Sequence, residues 1–554
     1  MSAFGIDLGT TNSVISRMES GKAVAIAIDG SPIVPSIVLY RDGKTIVGKQ
    51  AHNLALLYPD QTVASVKRKM GRAASLTVGG VAKRPEEVSA DILKYLKSGA
   101  ELATGAPVFD VVITVPAYFD DAQRRATLDA AELAQLKVLR LINEPTAASL
   151  VYDQVAGSDD APHTVLVFDL GGGTFDVSVL EVIGDIREVK ATSGDTHLGG
   201  DDFDRLLQNL LRKEVEAEHD VDLRSDAVVM ARLRRFAESA KIALSDALTT
   251  QVQGDFLVPG GRLVEINREL KRSEFEDLIR PHLQRCVDMA FDAVKAAGLQ
   301  PDEIDRICLV GGSTRIPLAR QLLAAAFDAP VHEEIDVDLA VSLGAAVQAA
   351  LLDGQPVDRI LVDVTAHDLG VLAAEDPWDH NPDTFVTVIG RNTVLPAKRS
   401  REFYTMQEEQ ARVDVDVFQG NSPSCSLNRK IGDFVFELAK GPSNTAVQVQ
   451  FEYDLNGIVR VTVGQASAGT QKTVAMRLAD TAQAEEPAHE QLPNAALMRK
   501  VNAMTDRLHG ASLEKLQALV AKLDTLHGKS RQAVEDELLD MLSDIDDAEA
   551  IAVP

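Results

Sequence analysis

The sequence predicts a multidomain chain: a long mixed α/β region, then an antiparallel β-sandwich, then a short helical segment. Three observations carry that prediction. Apolar runs and helix-like segments alternate over residues 1–357, every-other-residue alternation takes over in 367–482, and apolar residues recur at helical spacing in 483–554. A chain of 554 residues is also too long for one core, so several domains are expected.

The elements follow in order. Val111–Val115 and Thr164–Phe168 are largely apolar and read as buried strands, and Asp120–Leu136 and Leu233–Leu248 read as helices. The texture changes at residues 358–366. There Ile360-Leu361-Val362, between Asp358 and Asp363, suits either a short core strand or an apolar linker that docks on a neighbour. Val413, Val415 and Val417 alternate with Asp414 and Asp416 as in a half-buried strand, and Val447, Val449, Phe451 and Tyr453 repeat the pattern. Asn456-Gly457 then predicts a hairpin turn, since both residues tolerate positive φ, and Val459, Val461 and Val463 return the chain. Thr481–Pro493, rich in Ala, Glu and Pro, reads as a hinge. Beyond it, stripes at Leu497, Val501, Met504 and Leu508, at Leu513, Leu516, Val520 and Leu523, and at Val534, Leu538, Leu542 and Ile545 predict three helices. Gly510 ends the first and Ser512 caps the second.

Composition narrows the function. Charged residues make up 25% and hydrophobic ones 45%, as in an ordinary globular protein. The three cysteines, Cys286, Cys308 and Cys425, lie too far apart in sequence for a disulfide framework or a zinc spacing, which suits a reducing compartment. The chain begins MSAFGIDLG with no basic-then-apolar leader and contains no run long enough to cross a bilayer, so a cytoplasmic protein is expected. A formal net charge of −27 opposes nucleic acid and anionic membrane as partners. It also makes a polyphosphate hard to hold without a cation and many backbone donors.

An internal repeat supplies those donors. Asp7-Leu8-Gly9-Thr10-Thr11-Asn12-Ser13 opens the chain, and Asp169-Leu170-Gly171-Gly172-Gly173-Thr174-Phe175-Asp176 recurs in its middle. Each copy follows an apolar strand and precedes β-branched residues. Glycine lets backbone N–H groups approach an anion, threonine hydroxyls can donate more bonds, and an Asp closing each strand suits hydrated Mg²⁺ rather than bare phosphate. Two such hairpins face to face would clamp a triphosphate. Gly43-Lys44-Thr45 is not a P-loop end, because Val38 stands at its first glycine, and no dinucleotide fingerprint follows a strand. A third cluster, Gly311-Gly312-Ser313-Thr314-Arg315, suits either an adenine site, with a flat guanidinium over the ring, or a plain helix start with an exposed arginine.

These segments resemble the DnaK family of heat-shock-seventy chaperones, within the actin–hexokinase ATPase superfamily. The matching stretches are GIDLGTTNS (5–13), SVKRKMGR (65–72), VPAYFDDAQR (115–124), LINEPTAA (141–148), FDLGGGTFDVSV (168–179), SGDTHLGGDDFD (193–204), ESAKIALS (238–245), VGGSTRIP (310–317) and GAAVQAA (344–350). The resemblance implies a two-lobed actin-like ATPase over 1–357, a linker over 358–366, a peptide-binding β-sandwich over 367–482 and a short helical lid over 483–554. It implies ATP/ADP, Mg²⁺ and K⁺ as cofactors. Unfolded or extended client peptides, a J-domain co-chaperone and an exchange factor that the short segment after Ser245 leaves open are the partners it implies.

The implied roles fall on particular residues. Asp7 and Asp169 orient the water shell of Mg²⁺. Lys67 positions the attacking water, although beside Arg68 and Lys69 it also reads as part of a solvated basic face. Glu144 and Asp176 order water and cations, and Thr174 bonds near the γ-phosphate. Gly9, Thr10, Thr11, Asn12, Gly171, Gly172 and Gly173 form the phosphate loops, and Gly199, Gly200 and Asp201 line the cleft. Glu238, Lys241 and Ser245 hold ribose and adenine, while Gly311, Gly312, Ser313, Arg315 and Asp338 close the pocket. Leu361, Val362 and Asp363 match the family's docking linker, and Arg140 and Asp363 match positions that answer J-domain partners. Leu369, Val371, Phe403, Val413 and Val415 fall where the family lines its peptide groove, and Ala374 and Met406 where it arches over the bound chain. Where the family reads DVTPLSLG, this chain reads Asp363-Val364-Thr365-Ala366-His367-Asp368-Leu369-Gly370. The short helical tail is most similar to the HscC-type bacterial branch, which implies a reduced lid and fast peptide exchange. A metabolite kinase on the same ATPase fold and a non-hydrolysing nucleotide switch are the alternatives.

Overall fold

The computed structural model describes residues 3–72, 75–156, 162–224, 226–258, 262–332, 335–355, 359–374, 381, 383–475 and 522. Two compact units divide the chain, Met1–Ala479 and Asp480–Pro554. The hinge and the three helical stripes expected beyond 480, with the Ser512 cap, lie outside the described residues apart from Lys522.

The first unit is built on two six-stranded sheets of matching plan. In the first, the strands run in the order Lys137–Asn143, Asp110–Val115, Phe4–Leu8, Asn12–Glu19, Lys22–Ala25, with Val34–Pro35 paired to Asn12–Glu19. In the second the order is Val331–His332, Arg306–Val310, His163–Leu170, Phe175–Ile183, Ile186–Asp195, Ile360–Val362. In each, the strand that leads into a glycine-threonine loop pairs antiparallel with the strand that follows the loop, and parallel with a strand on its other side. The repeat in sequence is therefore a repeat in topology.

Between the sheets lie the helices Glu144–Ala156 and Ala340–Leu352. Their shared core takes Val112 and Ile142 from one sheet and Val165, Val167 and Leu180 from the other. The contact is close because its residues are small: a Cβ on Gly344 would stand 1.8 Å from the carbonyl oxygen of Ala147. Each sheet also has a core of its own on its outer side.

Helix limits follow local chemistry. Helix Asp121–Leu133 starts at a capping box, in which Asp120 accepts from the N–H of Gln123 at 2.9 Å and the Gln123 side chain accepts from the N–H of Asp120 at 3.1 Å. It ends short of the expected Leu136 because the chain turns at Gln135, φ 56°. Helix Ala227–Asp246 starts earlier than expected because Asp226 caps the N–H groups of Val228 and Val229.

The β region is a sandwich. One sheet runs Phe385–Ile389, Leu369–Leu372, Arg412–Gln419, Arg429–Glu437, and the other Ala397–Tyr404, Ala446–Tyr453, Val459–Gln465, Thr470–Ala475. Alternate residues of both sheets, Val415, Val417, Val449, Phe451 and Val461 among them, meet in one core. Ile360-Leu361-Val362 is a strand at the edge of the second sheet, paired parallel with Ile186–Glu188, with Ile360 exposed. From it the chain passes directly into the sandwich.

Candidate functional site: a cleft between matched loops

The two glycine-threonine hairpins face each other. A Cβ on Gly172 would lie 1.8 Å from Oγ1 of Thr11, so only glycine lets the loops approach this closely. Each loop is braced from behind. Ser36 donates its N–H to the Thr11 carbonyl at 2.8 Å and its hydroxyl to the Gly9 carbonyl at 2.9 Å. The N–H groups of Gly200 and Asp201 bond the carbonyls of Gly171 and Gly172 at 3.0 and 2.7 Å, and Ser313 Oγ also bonds the Gly171 carbonyl.

A cavity of about 410 Å³ opens between them. Its walls include Asp7, Gly9, Thr10, Thr11, Asn12, Lys67, Glu144, Asp169, Gly171, Gly172 and Thr174, and, at the far end, Glu238, Lys241, Ser245, Gly311, Gly312, Ser313, Arg315 and Asp338. Gly173, Asp176, Gly199, Gly200 and Asp201 are not part of this wall; of these, Gly200 and Asp201 brace the second loop through their N–H groups. Ile242, Val337 and Val341 add apolar wall that sequence reading did not single out. The signal available in the sequence for Ile242 was its place beside Lys241, as a large apolar side chain.

Lys67 is 5% exposed and paired with Glu144, so it is no part of a solvated face. Burial lowers its affinity for a proton, but Glu144, Asp7 and Asp169 outweigh that, and the net shift is upward. Three neighbouring carboxylates, Asp7, Asp169 and Asp176, are pushed up as well. Burial and then the Glu144 charge raise Asp7 to about 7 and Asp176 to about 8, and burial followed by its neighbours' charge puts Asp169 well above its ordinary value. One lysine thus sits among four acids, of which Glu144, Asp169 and Asp176 are buried and Asp7 is partly so. Thr11 Oγ1 and Asp176 Oδ2 are buried without a hydrogen-bond partner among the described residues. A site so rich in acid, with oxygen atoms left unpartnered, fits a hydrated cation. Neighbouring Arg68 spans the cleft, bonding the Gly173 carbonyl at 2.9 Å and pairing with Asp202. At the other end Arg315 is fixed by Asp336 and Asp338 at 2.6 and 2.9 Å, which orients its guanidinium plane.

Behind Glu144 a polar chain leads out of the cleft. Asn143 accepts from Arg124 at 2.6 Å and donates to Asp363 at 2.9 Å, while Thr146 also reaches Asp363. Arg124 continues to the Asn456 carbonyl, and the Asn456 side chain accepts from the N–H of Leu141 at 3.0 Å. The hairpin turn read from Asn456-Gly457 is therefore also a docking element. Only Gly457 takes positive φ, at 70°, and its missing side chain leaves room for Arg124. More contacts extend this junction: Val459 N–H to Asp121 at 2.8 Å, Arg125 to the Val459 carbonyl at 2.9 Å, Asp121 N–H to Gln419 at 3.0 Å, and Arg429 to Asp120. Arg140 borders a separate cavity of about 530 Å³ with Asn456, its Nε unpartnered among the described residues.

In the sandwich, Val371, Phe403, Val413 and Val415 line a pocket of about 140 Å³. Leu369 is fully buried in the sandwich core instead, and Ala374 and Met406 are exposed outside the pocket wall.

Comparison with known proteins identifies a family and two relatives. The family described as Hsp70 protein matches residues 3–80 and 73–550. The chain is similar to the chaperone protein DnaK of a Thermus thermophilus strain, 40% identical over 512 residues, covering 87% of this chain and 82% of the relative. It is also similar to the chaperone protein DnaK of Deinococcus deserti, 38% identical over 566 residues, covering 96% and 87%.

Proposed function

The chain belongs to the Hsp70 family, and from that premise we propose how its residues divide the work of an ATP-dependent chaperone. The protein is an ATPase whose nucleotide cycle controls the binding and release of unfolded polypeptide. The observation that carries the assignment of the cleft is the pair of facing loops closed over Lys67, Asp7, Asp169 and Glu144. The loops would hold the phosphates, and Asp7 and Asp169 would hold hydrated Mg²⁺, which together with K⁺ would supply charge neutralisation for the phosphates. Lys67 places the attacking water and counters charge on the γ-phosphate. Glu144, Asp176 and Thr174 keep that water aligned, and Glu238, Lys241, Ser245 and Arg315 hold the nucleoside.

Residues 358–366 serve as the linker between an ATPase domain over 1–357 and a peptide-binding domain over 367–482, with a lid over 483–554. Edge pairing of Ile360–Val362 and the Asn143–Asp363 bond support a docked linker. Val371, Phe403, Val413 and Val415 form the pocket that takes an apolar client side chain, while sequence-blind backbone bonds hold the extended chain. Arg140 and Asp363 answer a J-domain co-chaperone. A reduced lid of the HscC type gives fast peptide exchange, and the cytoplasm is the working compartment; among the described residues no helix is long and apolar enough to cross a membrane.

ATP turnover with and without an unfolded apolar peptide tests the assignment. Peptide-stimulated release of phosphate is expected. Turnover that needs a sugar, or none at all with ATP bound, would replace it with a kinase or a passive switch.

A further inference from the structure

One contact at the junction belongs to a residue where the chain leaves its family's pattern. His367 carries Nε2 2.9 Å from the carbonyl oxygen of Tyr118, and its ring lies edge-on to the Tyr118 ring with centroids 4.2 Å apart. A carbonyl only accepts, so the imidazole proton sits on Nε2. Tyr118 turns its other face to the cleft: its N–H donates to Oδ1 of Asp176 at 2.9 Å. The Tyr118 hydroxyl in turn accepts from Asn421 at 2.7 Å. A single residue thus stands between the sandwich and a carboxylate whose second oxygen, Oδ2, is buried and unpartnered among the described residues.

We propose that His367 restrains ATP hydrolysis: through the Tyr118 carbonyl it holds the N–H bonded to Asp176 in its resting place while the sandwich is docked. The inference rests on the reading of the cleft as an ATPase site served by Asp176. A peptide that draws the sandwich away takes His367 and Asn421 off Tyr118. The stimulated state then differs from the resting one by the same bond that His367→Leu would remove. His367→Gln keeps it, because the glutamine amide nitrogen is as many bonds from the backbone as Nε2 and also donates.

The test uses full-length chain: wild type, His367→Leu, His367→Gln and Asp176→Asn. Single-turnover hydrolysis is measured with and without an unfolded apolar peptide, and docking is read from exchange protection of the Val459 amide, which bonds Asp121. His367→Leu is expected to raise peptide-free turnover about two- to tenfold, the factor that one hydrogen bond of ordinary net strength commands. Peptide stimulation should shrink by the same factor, with Val459 protection unchanged and His367→Gln like wild type. Wild-type turnover in His367→Leu overturns the inference, as does failure of His367→Gln to restore it. A rise matched by lost Val459 protection also overturns it, since His367 would then be a docking contact only. Unimpaired hydrolysis by Asp176→Asn would remove the reading of the cleft and the inference together; a crippled Asp176→Asn beside a silent His367→Leu removes the inference alone.

Discussion

At the scale of single residues, position in the fold overrides neighbours in sequence. Lys67 sits between a serine-valine pair and two further cations, yet its partners are Glu144, Asp7 and Asp169. Lys67→Ala is expected to cut single-turnover hydrolysis by about 10²-fold or more, the scale of one transition-state charge contact, while ATP affinity changes little. An equal loss of affinity would assign it to nucleotide binding. His367 gives a pH dependence. Burial lowers its affinity for a proton, and Arg124 acts in the same direction, against the Tyr118 carbonyl, Asp120 and Asp368, which raise it. The released ring has the ordinary value of 6.5, so below it the undocked state binds more protons than the docked one. Docking must therefore strip a proton from His367 below that pH, a penalty that is absent above it and grows as pH falls. Val459 protection, corrected for intrinsic exchange, should drop between about pH 7 and about pH 5.5 in wild type and stay flat in His367→Gln.

At the scale of elements, the two sheets are held in register by helices that touch backbone to backbone. Gly344 has no room for a side chain against Ala147, and Ala147 lies three residues from Glu144 in the cleft. Gly344→Ala should destabilise the first unit by about 1–3 kcal/mol, as overpacked contacts do. Calorimetric melting would show it, and an unchanged melting temperature would mean the helices part easily. The hairpin around Gly457 makes the same point differently. Its turn chemistry is local, but its outward face is used by Arg124 and Leu141, residues of another sheet and helix.

At the scale of the molecule, a polar path runs from Asn143, the chain neighbour of Glu144, to Asp363 and, through Arg124, to Asn456 in the sandwich. The edge strand Ile360–Val362 holds that path in place, with Leu361 packed against the inter-sheet core. Replacing Leu361 and Val362 with aspartate should leave ATP binding intact and abolish peptide stimulation of turnover, because two charges cannot dock on that apolar edge. Stimulation that survives would show that coupling runs without the linker.

What the sequence by itself determined is whatever depends on short-range pattern. Strand alternation, the repeated glycine-threonine loops and the hairpin at Asn456-Gly457 are set by residues within a few positions of one another. Helix ends at Leu133 and Ala227 were less legible, because a left-handed Gln135 and the Asp226 cap decide them against the apolar period. Only the tertiary structure decided which polar groups meet. Arg68 finds Asp202, Asp121 finds Val459 and His367 finds Tyr118 across separations of 134, 338 and 249 residues. It also moved Leu369 into the core and left Asp176 and Gly199–Asp201 out of the cleft wall. Hydrogen bonds and ion pairs act over a few ångströms of space. The chain encodes them only through the fold that brings distant segments to that distance.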